Sequence, residues 1–150
     1  AGGWEKYPEV HRSDHWDSDK DGLPDWWEDV HGLNPHSPEG DFSDANADKN
    51  NDGFTNLNDY LAWMATPHVC SPNGAPVEIN LGKLTRGYTD HPVFSVEDTQ
   101  NGKVEIKSDK AVFTPDQKGL ASFKFKVKDA SGDTMTREVN ILSGYKVKFR

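Results

Sequence analysis

The chain has 150 residues, of which 33% are hydrophobic and 28% are charged, and its formal net charge is -8. No apolar run approaches the roughly 20 residues that span a bilayer, and the chain does not open like a signal peptide, so we interpret Ala1 as the start of a mature chain or a fragment. The lone Cys70 excludes an intramolecular disulfide. The composition predicts one domain or two small ones, with no membrane partner.

The charge is divided unevenly along the chain. Residues 1–70 hold 4 basic and 15 acidic residues, a net charge of -11, together with all five tryptophans. Residues 71–150 hold 13 basic and 10 acidic residues, a net charge of +3. Turn-forming residues crowd positions 71–76. We therefore predict a metal-binding segment over 1–69, a linker over 70–75 and a β-sandwich over 76–150.

Residues 17–28 fit the calcium-loop pattern D-x-[DN]-x-[DN]-G-x5-E at every position. Calcium takes roughly six to eight oxygen ligands, which alternate side chains of a tight loop supply, and Gly22 permits the sharp bend. A short helix should follow and end at Gly32. The predicted ligands are one backbone carbonyl, that of Leu23, and the side chains of Asp17, Asp19, Asp21, Asp25 (directly or through water) and Glu28.

Residues 48–59 form a second loop of the same pattern, with Gly53 at the bend. Its final acid is aspartate, which reaches an ion less readily than glutamate, so we expect a weaker or differently shaped site. The apolar stripe that follows, which includes Tyr60 and Trp63, should pack against Trp26 and Trp27. The predicted ligands are Asp48, Asn50, Asp52, the Phe54 carbonyl, Asn56 and Asp59.

A single acidic loop of this kind is interpreted equally well as a solvated turn or as a calcium-binding loop. Two loops in register, each followed by aromatic helical residues, favour calcium as the cofactor. Magnesium fits less well because it prefers a smaller octahedral site. The six histidines show no paired spacing, which argues against zinc.

Residues 17–28, the Gly32-Leu33-Asn34-Pro35 turn and residues 52–61 resemble the calcium-binding tail, related to thrombospondin type 3 repeats, of bacterial polysaccharide lyases. Gly2-Gly3-Trp4 and Tyr7-Pro8-Glu9 resemble the stretch before that tail in family 1 pectate lyases. The resemblance implies a secreted or cell-surface parent enzyme that acts on pectin. That family's catalytic site lies on a parallel β-helix, which these residues could not build, so we expect no catalysis here.

The second loop also resembles a dockerin repeat, in which asparagine and aspartate are usual at the ninth and twelfth places. That resemblance implies a cohesin partner and a cellulosome anchor. Against it, the first loop with its Pro24-Asp25-Trp26-Trp27 run is poor dockerin sequence. A dockerin or a cadherin-like spacer stays open as the alternative function.

The second half alternates with period two, which predicts short antiparallel strands in an immunoglobulin-like β-sandwich and a mainly β fold. Residues 101–132 resemble bacterial cadherin-like and immunoglobulin-like modules. The predicted strands are 77–80, 93–96, 104–107, 111–114, 121–129, 134–142 and 145–149.

Alternation also predicts which lysines face outward. Phe123, Phe125 and Val127 should face the core, and the lysines between them the opposite side. If the strands share a sheet, a cationic surface follows; ordinary solvated sheet surface is the alternative. The candidate ligand-binding residues are Lys107, Lys124, Lys126, Lys128, Lys146 and Lys148.

The second half lacks tryptophan and has only Tyr88 and Tyr145, so stacking on a neutral glycan is disfavoured and a polyanion is the better ligand. Nucleic acid is a poor candidate because the whole chain is acidic. In the context of the lyase resemblance, we expect an acidic plant polysaccharide, homogalacturonan (pectin), bound as by the lysine-dependent modules of family 77. The predicted protein is a monomeric, extracellular, non-catalytic carbohydrate-binding module.

Overall fold

The computed structural model describes residues 3, 4, 6, 8, 9 and 11–147. Within that part of the chain, the helices are α1 (Asp25–His31), α2 (Ser43–Asn46), α3 (Asn56–Ala65) and α4 (Leu81–Leu84). The strands are β1 (His68–Ser71), β2 (Val77–Asn80), β3 (Val93–Gln100), β4 (Gly102–Lys107), β5 (Lys110–Pro115), β6 (Gly119–Lys128) and β7 (Thr134–Ser143). None of these helices is long and apolar enough to cross a membrane.

The strands form two sheets, which confirms the predicted mainly β sandwich. The large sheet has the order β1-β7-β6-β3, and the small sheet has the order β2-β5-β4. Neighbouring strands are antiparallel except for β1, which runs parallel to β7. Five of the six predicted strands between residues 77 and 142 lie within observed strands, and the sixth, predicted over 121–129, extends one residue past the end of β6.

The sandwich core lies between the sheets and follows from the alternation of side chains along each strand. Phe123 and Phe125 of β6 and Phe113 of β5 are buried there. The rings of Phe113 and Phe123 stack across the two sheets with their centroids 5.8 Å apart. The inward placement predicted for Phe123, Phe125 and Val127 is therefore what the structure has.

The predicted linker over 70–75 begins inside a strand. β1 pairs with β7 from His68, opposite Asn140, to Ser71, opposite Ser143. The segment adds a parallel edge strand, and Cys70 lies in this strand, where its thiol contacts the Tyr145 carbonyl at 3.1 Å. The sandwich therefore starts ahead of the predicted boundary, because a partner strand over 70 residues away in sequence supplies its hydrogen bonds.

The two halves of the chain share a second apolar cluster, which we call the seam cluster. Residues 1–70 are called the acidic half below. The buried members of the cluster are Leu142 of β7 and, from the acidic half, Leu23, Trp26, Trp27, Ala45 and Tyr60. Leu142 lies opposite Leu120 on the face of the large sheet that points away from the sandwich core. The helices of the acidic half thus cover one end of that outer face.

Residues 145–147 are not a strand, contrary to the prediction over 145–149. Tyr145 and Val147 are partly buried against the seam cluster. The Tyr145 hydroxyl donates to Asp29 Oδ2 at 2.6 Å, and burial together with this bond raises the pKa of Tyr145 to about 12. These residues turn toward α1 instead of extending the sheet, and Phe149 lies outside the described residues.

Candidate metal centre

The two predicted loops have the same backbone conformation. Their fourth residues, Lys20 and Asn51, both have φ of 59°, and their sixth, Gly22 and Gly53, have φ of 100° and 92°. Left-handed φ at the sixth place suits glycine, which carries no Cβ to clash. The first loop leads into α1, which ends at Gly32 with φ of 64°, as predicted.

The ninth residue of each loop accepts a hydrogen bond from the backbone N–H of the loop's second residue. Asp25 accepts hydrogen bonds from the Ser18 backbone N–H at 2.7 Å and from the Ser18 hydroxyl at 2.6 Å. Asn56 Oδ1 accepts from the backbone N–H of Lys49, the equivalent of Ser18. These hydrogen bonds give Asp25 and Asn56 a loop-closing role; their predicted part as ligands, which for Asp25 includes ligation through water, stays a prediction.

Three aspartates of the first loop gather around one point. Asp17, Asp19 and Asp21 each offer an oxygen, and these atoms lie within 4.8 Å of one another. The other oxygen of each residue is fixed by a protein donor: Gly22 N–H for Asp17, Ser37 for Asp19 and Leu23 N–H for Asp21. The hydrogen bonds thus orient each carboxylate with one oxygen left over.

The leftover oxygens are buried and lack a hydrogen-bond partner among the described residues. They are Asp17 Oδ1, Asp19 Oδ1, Asp21 Oδ2 and both oxygens of Glu28. Asp19, Asp21 and Glu28 are at most 3% exposed. Buried polar atoms are nearly always satisfied, and these five belong to four of the six predicted ligand residues. The donor set is that of a hard cation.

The electrostatic environment of these buried carboxylates also favours a bound cation. Burial, and then the charges of Asp19 and Asp21, raise the pKa of Glu28 to about 8. Burial also raises the pKa values of Asp17 and Asp21. Packing four carboxylates together without a counter-charge is costly. A bound divalent cation would offset that cost.

The second loop is more exposed and partly satisfied by its own side chains. The Asn50 amide donates to Asp52 Oδ2 at 3.0 Å and to Asp59 Oδ2 at 3.2 Å. Asp48 accepts from the N–H groups of Asp52 and Gly53. Phe54 is 61% exposed, whereas Leu23, at the same place in the first loop, is fully buried. Among the described residues, the second loop therefore has no buried carboxylate oxygen that lacks a hydrogen-bond partner.

Two residues that are not predicted ligands stabilise the first loop and the helix that follows it. Ser37 holds Asp19 through its hydroxyl at 2.7 Å. The Lys49 ammonium donates to the Gly32 carbonyl at 2.8 Å and to the His31 carbonyl, so the second loop covers the carboxyl end of α1. No sequence signal identifies Ser37, because its contact with the loop spans 18 residues.

The structure does not bring the six candidate lysines together. Lys124, Lys126 and Lys128 lie on the outer face of β6, which we call the lysine row. Lys107 ends β4 in the small sheet. Lys146 follows β7 at the opposite end of the large sheet from Lys128, and Lys148 lies outside the described residues. The strand order therefore contradicts the prediction that these lysines share a single surface.

Acidic neighbours flank the lysine row. Lys126 forms a 2.7 Å ion pair with Glu97 of β3. Lys124 lies between Asp98 of β3 and Glu138 of β7 in the sheet register. The row therefore has less net positive charge than its sequence implies.

Sequence comparison identifies the family. Residues 15–142, most of the chain, match the family described as Bacterial Ig domain (Big_9). The chain is a bacterial Ig domain. The match agrees with the two-sheet architecture and also extends over both acidic loops. The Ig fold is typically non-catalytic.

Similarity to individual proteins is low. A search of curated proteins finds no match. Among solved structures, the PKD domain from the KIAA 1837 protein is 16% identical with a TM-score of 0.39, covering 57% of this chain and 85% of that one. The cysteine protease inhibitor EhICP2 from Entamoeba histolytica is 10% identical with a TM-score of 0.27, covering 53% and 85%.

Proposed function

We propose that this bacterial Ig domain is a calcium-stabilised, non-catalytic accessory module of an extracellular glycan-degrading protein. The observation that carries the proposal is the set of five buried carboxylate oxygens in the first loop that lack a hydrogen-bond partner among the described residues. Calcium suits them because a flexible loop of carboxylates matches its high coordination number. The extracellular pectin-degrading context rests on the sequence resemblance alone.

Calcium titration of the Glu28→Gln variant tests the proposal. The wild-type protein should bind calcium in isothermal calorimetry with at least one site, and Glu28→Gln should lose that site because the amide supplies only one neutral oxygen. Glu39→Gln is the matched control, since Glu39 pairs with Lys20 of the same loop but is exposed. Equal calcium binding by wild type and Glu28→Gln would contradict the proposal.

Homogalacturonan binding through the lysine row is the second candidate function. The observation in its favour is that Lys124, Lys126 and Lys128 project from one face of β6. Exposed ion pairs each contribute roughly 0.2–1 kcal/mol and are screened by salt. Binding would therefore need several such contacts and would weaken as salt rises.

Affinity electrophoresis in gels containing polygalacturonate tests this second candidate. Migration should be retarded at low salt, and the double change Lys124→Ala with Lys128→Ala should reduce the retardation. Lys107→Ala, in the small sheet, is the matched control and should migrate like wild type. Retardation that the double variant retains, or that neutral xylan causes equally, would exclude the lysine row as the glycan site.

A further inference from the structure

A cleft of about 720 Å³ lies where the acidic half meets the chain that follows β7. Its lining includes residues 11–13, 15 and 16, Trp26 and Asp29 of α1, and residues 145–147. A cleft of this size falls in the range of small-molecule sites, roughly 300–1,000 Å³. Neither the proposed calcium site nor the proposed glycan site on the lysine row accounts for this cleft.

We propose that this cleft binds a short acidic saccharide, whose carboxylates pair with Arg12 and Lys146 and whose sugar rings lie against the aromatic wall around Trp16. The inference goes beyond the accessory role proposed above. It rests on that role in one respect, because Asp25 of the first loop lines the cleft.

The cations of the cleft favour an anionic ligand. Arg12 and Lys146 are exposed, and among the described residues neither has a carboxylate within ion-pair distance. Lys20, Lys110 and Lys126, by contrast, are each paired with a glutamate at 2.7–2.9 Å. Three histidines add further polar groups to the wall: His11, His15 and His36. Two cations without a carboxylate at ion-pair distance therefore line one concavity, where a ligand carboxylate can pair with them.

The aromatic side chains favour a ligand with an apolar face. Trp16, Trp26, Tyr60 and Tyr145 all line the cleft. The Arg12 guanidinium lies 3.7 Å from the Trp16 ring centroid, which fixes the charge against the aromatic wall. The C–H face of a sugar ring packs on such a wall while its edge stays polar.

Carboxylates in the cleft can accept hydrogen bonds from sugar hydroxyls. Asp29 holds the Tyr145 hydroxyl through one oxygen, and Asp25 holds Ser18. Both acids are therefore fixed in orientation, and an ionised carboxylate has about four acceptor positions in all. A ligand that carries hydroxyls and carboxylates on a ring can contact the cations, the aromatic rings and the carboxylates of the cleft at the same time. An oligomer of uronic acids has this chemistry.

Nuclear magnetic resonance titration with trigalacturonate in calcium buffer tests the inference. The indole resonance of Trp16, assigned with Trp16→Phe, should shift with trigalacturonate and not with neutral xylotriose. Arg12→Ala and Lys146→Ala should each weaken binding about five-fold, the upper range of an exposed ion pair. Lys124→Ala, on the lysine row, is the matched control and should bind like wild type.

Two results would overturn the cleft assignment. One is binding that Arg12→Ala and Lys146→Ala leave unchanged; the other is the absence of any Trp16 shift at millimolar trigalacturonate. The calcium-induced rise in melting temperature is measured on the same samples. If it persists while trigalacturonate fails to bind, the cleft assignment fails and the proposed calcium-stabilised module stands; if it is absent, the module proposal fails separately.

Discussion

Chelation of calcium is expected to lower the melting temperature of the whole chain. A ligand that binds only the folded state adds RT ln(1 + [L]/Kd), about 2.7 kcal/mol at a hundredfold excess over Kd. For a chain of this size that corresponds to a shift of about 5–10 °C. The effect should reach the sandwich because the first loop contributes Leu23 to the seam cluster, which also contains Leu142.

The double change Asp19→Ala with Asp21→Ala should abolish that shift. In calcium the variant should melt well below wild type, and without calcium it should melt at the same temperature or higher, because two mutually repelling buried acids are gone. The corresponding pair in the second loop, Asp48→Ala with Asp52→Ala, should change the shift less, since those residues are exposed. Differential scanning calorimetry with and without chelator measures the melting temperatures of wild type and of both double variants. A wild-type melting curve indifferent to chelator, in protein shown to be metal-free, would refute the metal centre.

The backbone bend of the first loop was predictable from the sequence because the turn chemistry of such a loop is local. Spacing places alternate side chains inward, and Gly22 is required where φ is positive. The hydrogen bonds of Asp25 and Asn56 were not predictable in the same way. They depend on where the second residue of each loop, Ser18 or Lys49, lies.

Alternation predicted the strands but not their arrangement. It identifies which side chains of β6 face outward, yet it carries no information on which strands share a sheet. Lys107 therefore joined the predicted lysine surface although its strand belongs to the small sheet. β1 was missed for a related reason: a four-residue strand between Pro67 and Pro72 has little pattern of its own and depends on β7.

One feature of the sequence does indicate that β7 contributes to the seam cluster. Ile141 and Leu142 are consecutive apolar residues at a position where strict alternation would place a polar one. Ile141 faces the sandwich core and Leu142 the seam cluster. A break in alternation of this kind indicates that both faces of a strand are buried. The acidic half is thus the covering layer for this end of the large sheet.

Leu142→Ala is expected to destabilise both halves of the chain together. Leu142 is fully buried between the large sheet and the helices of the acidic half. Removal of a buried leucine side chain typically costs about 2–5 kcal/mol. Leu61→Ala is the matched control, because Leu61 of α3 is 54% exposed and a surface change typically alters stability by about 0.5 kcal/mol or less.

Two spectroscopic signals follow the halves separately during chemical unfolding of the Leu142→Ala variant. Tryptophan fluorescence reports the acidic half, which holds all five tryptophans, and far-ultraviolet circular dichroism reports mainly the strands of the sandwich. Because the seam cluster joins the halves, both transitions should move to lower denaturant by the same amount and coincide, as in wild type. A fluorescence transition that moves while the sheet transition stays in place would mean that the sandwich folds independently of the acidic half.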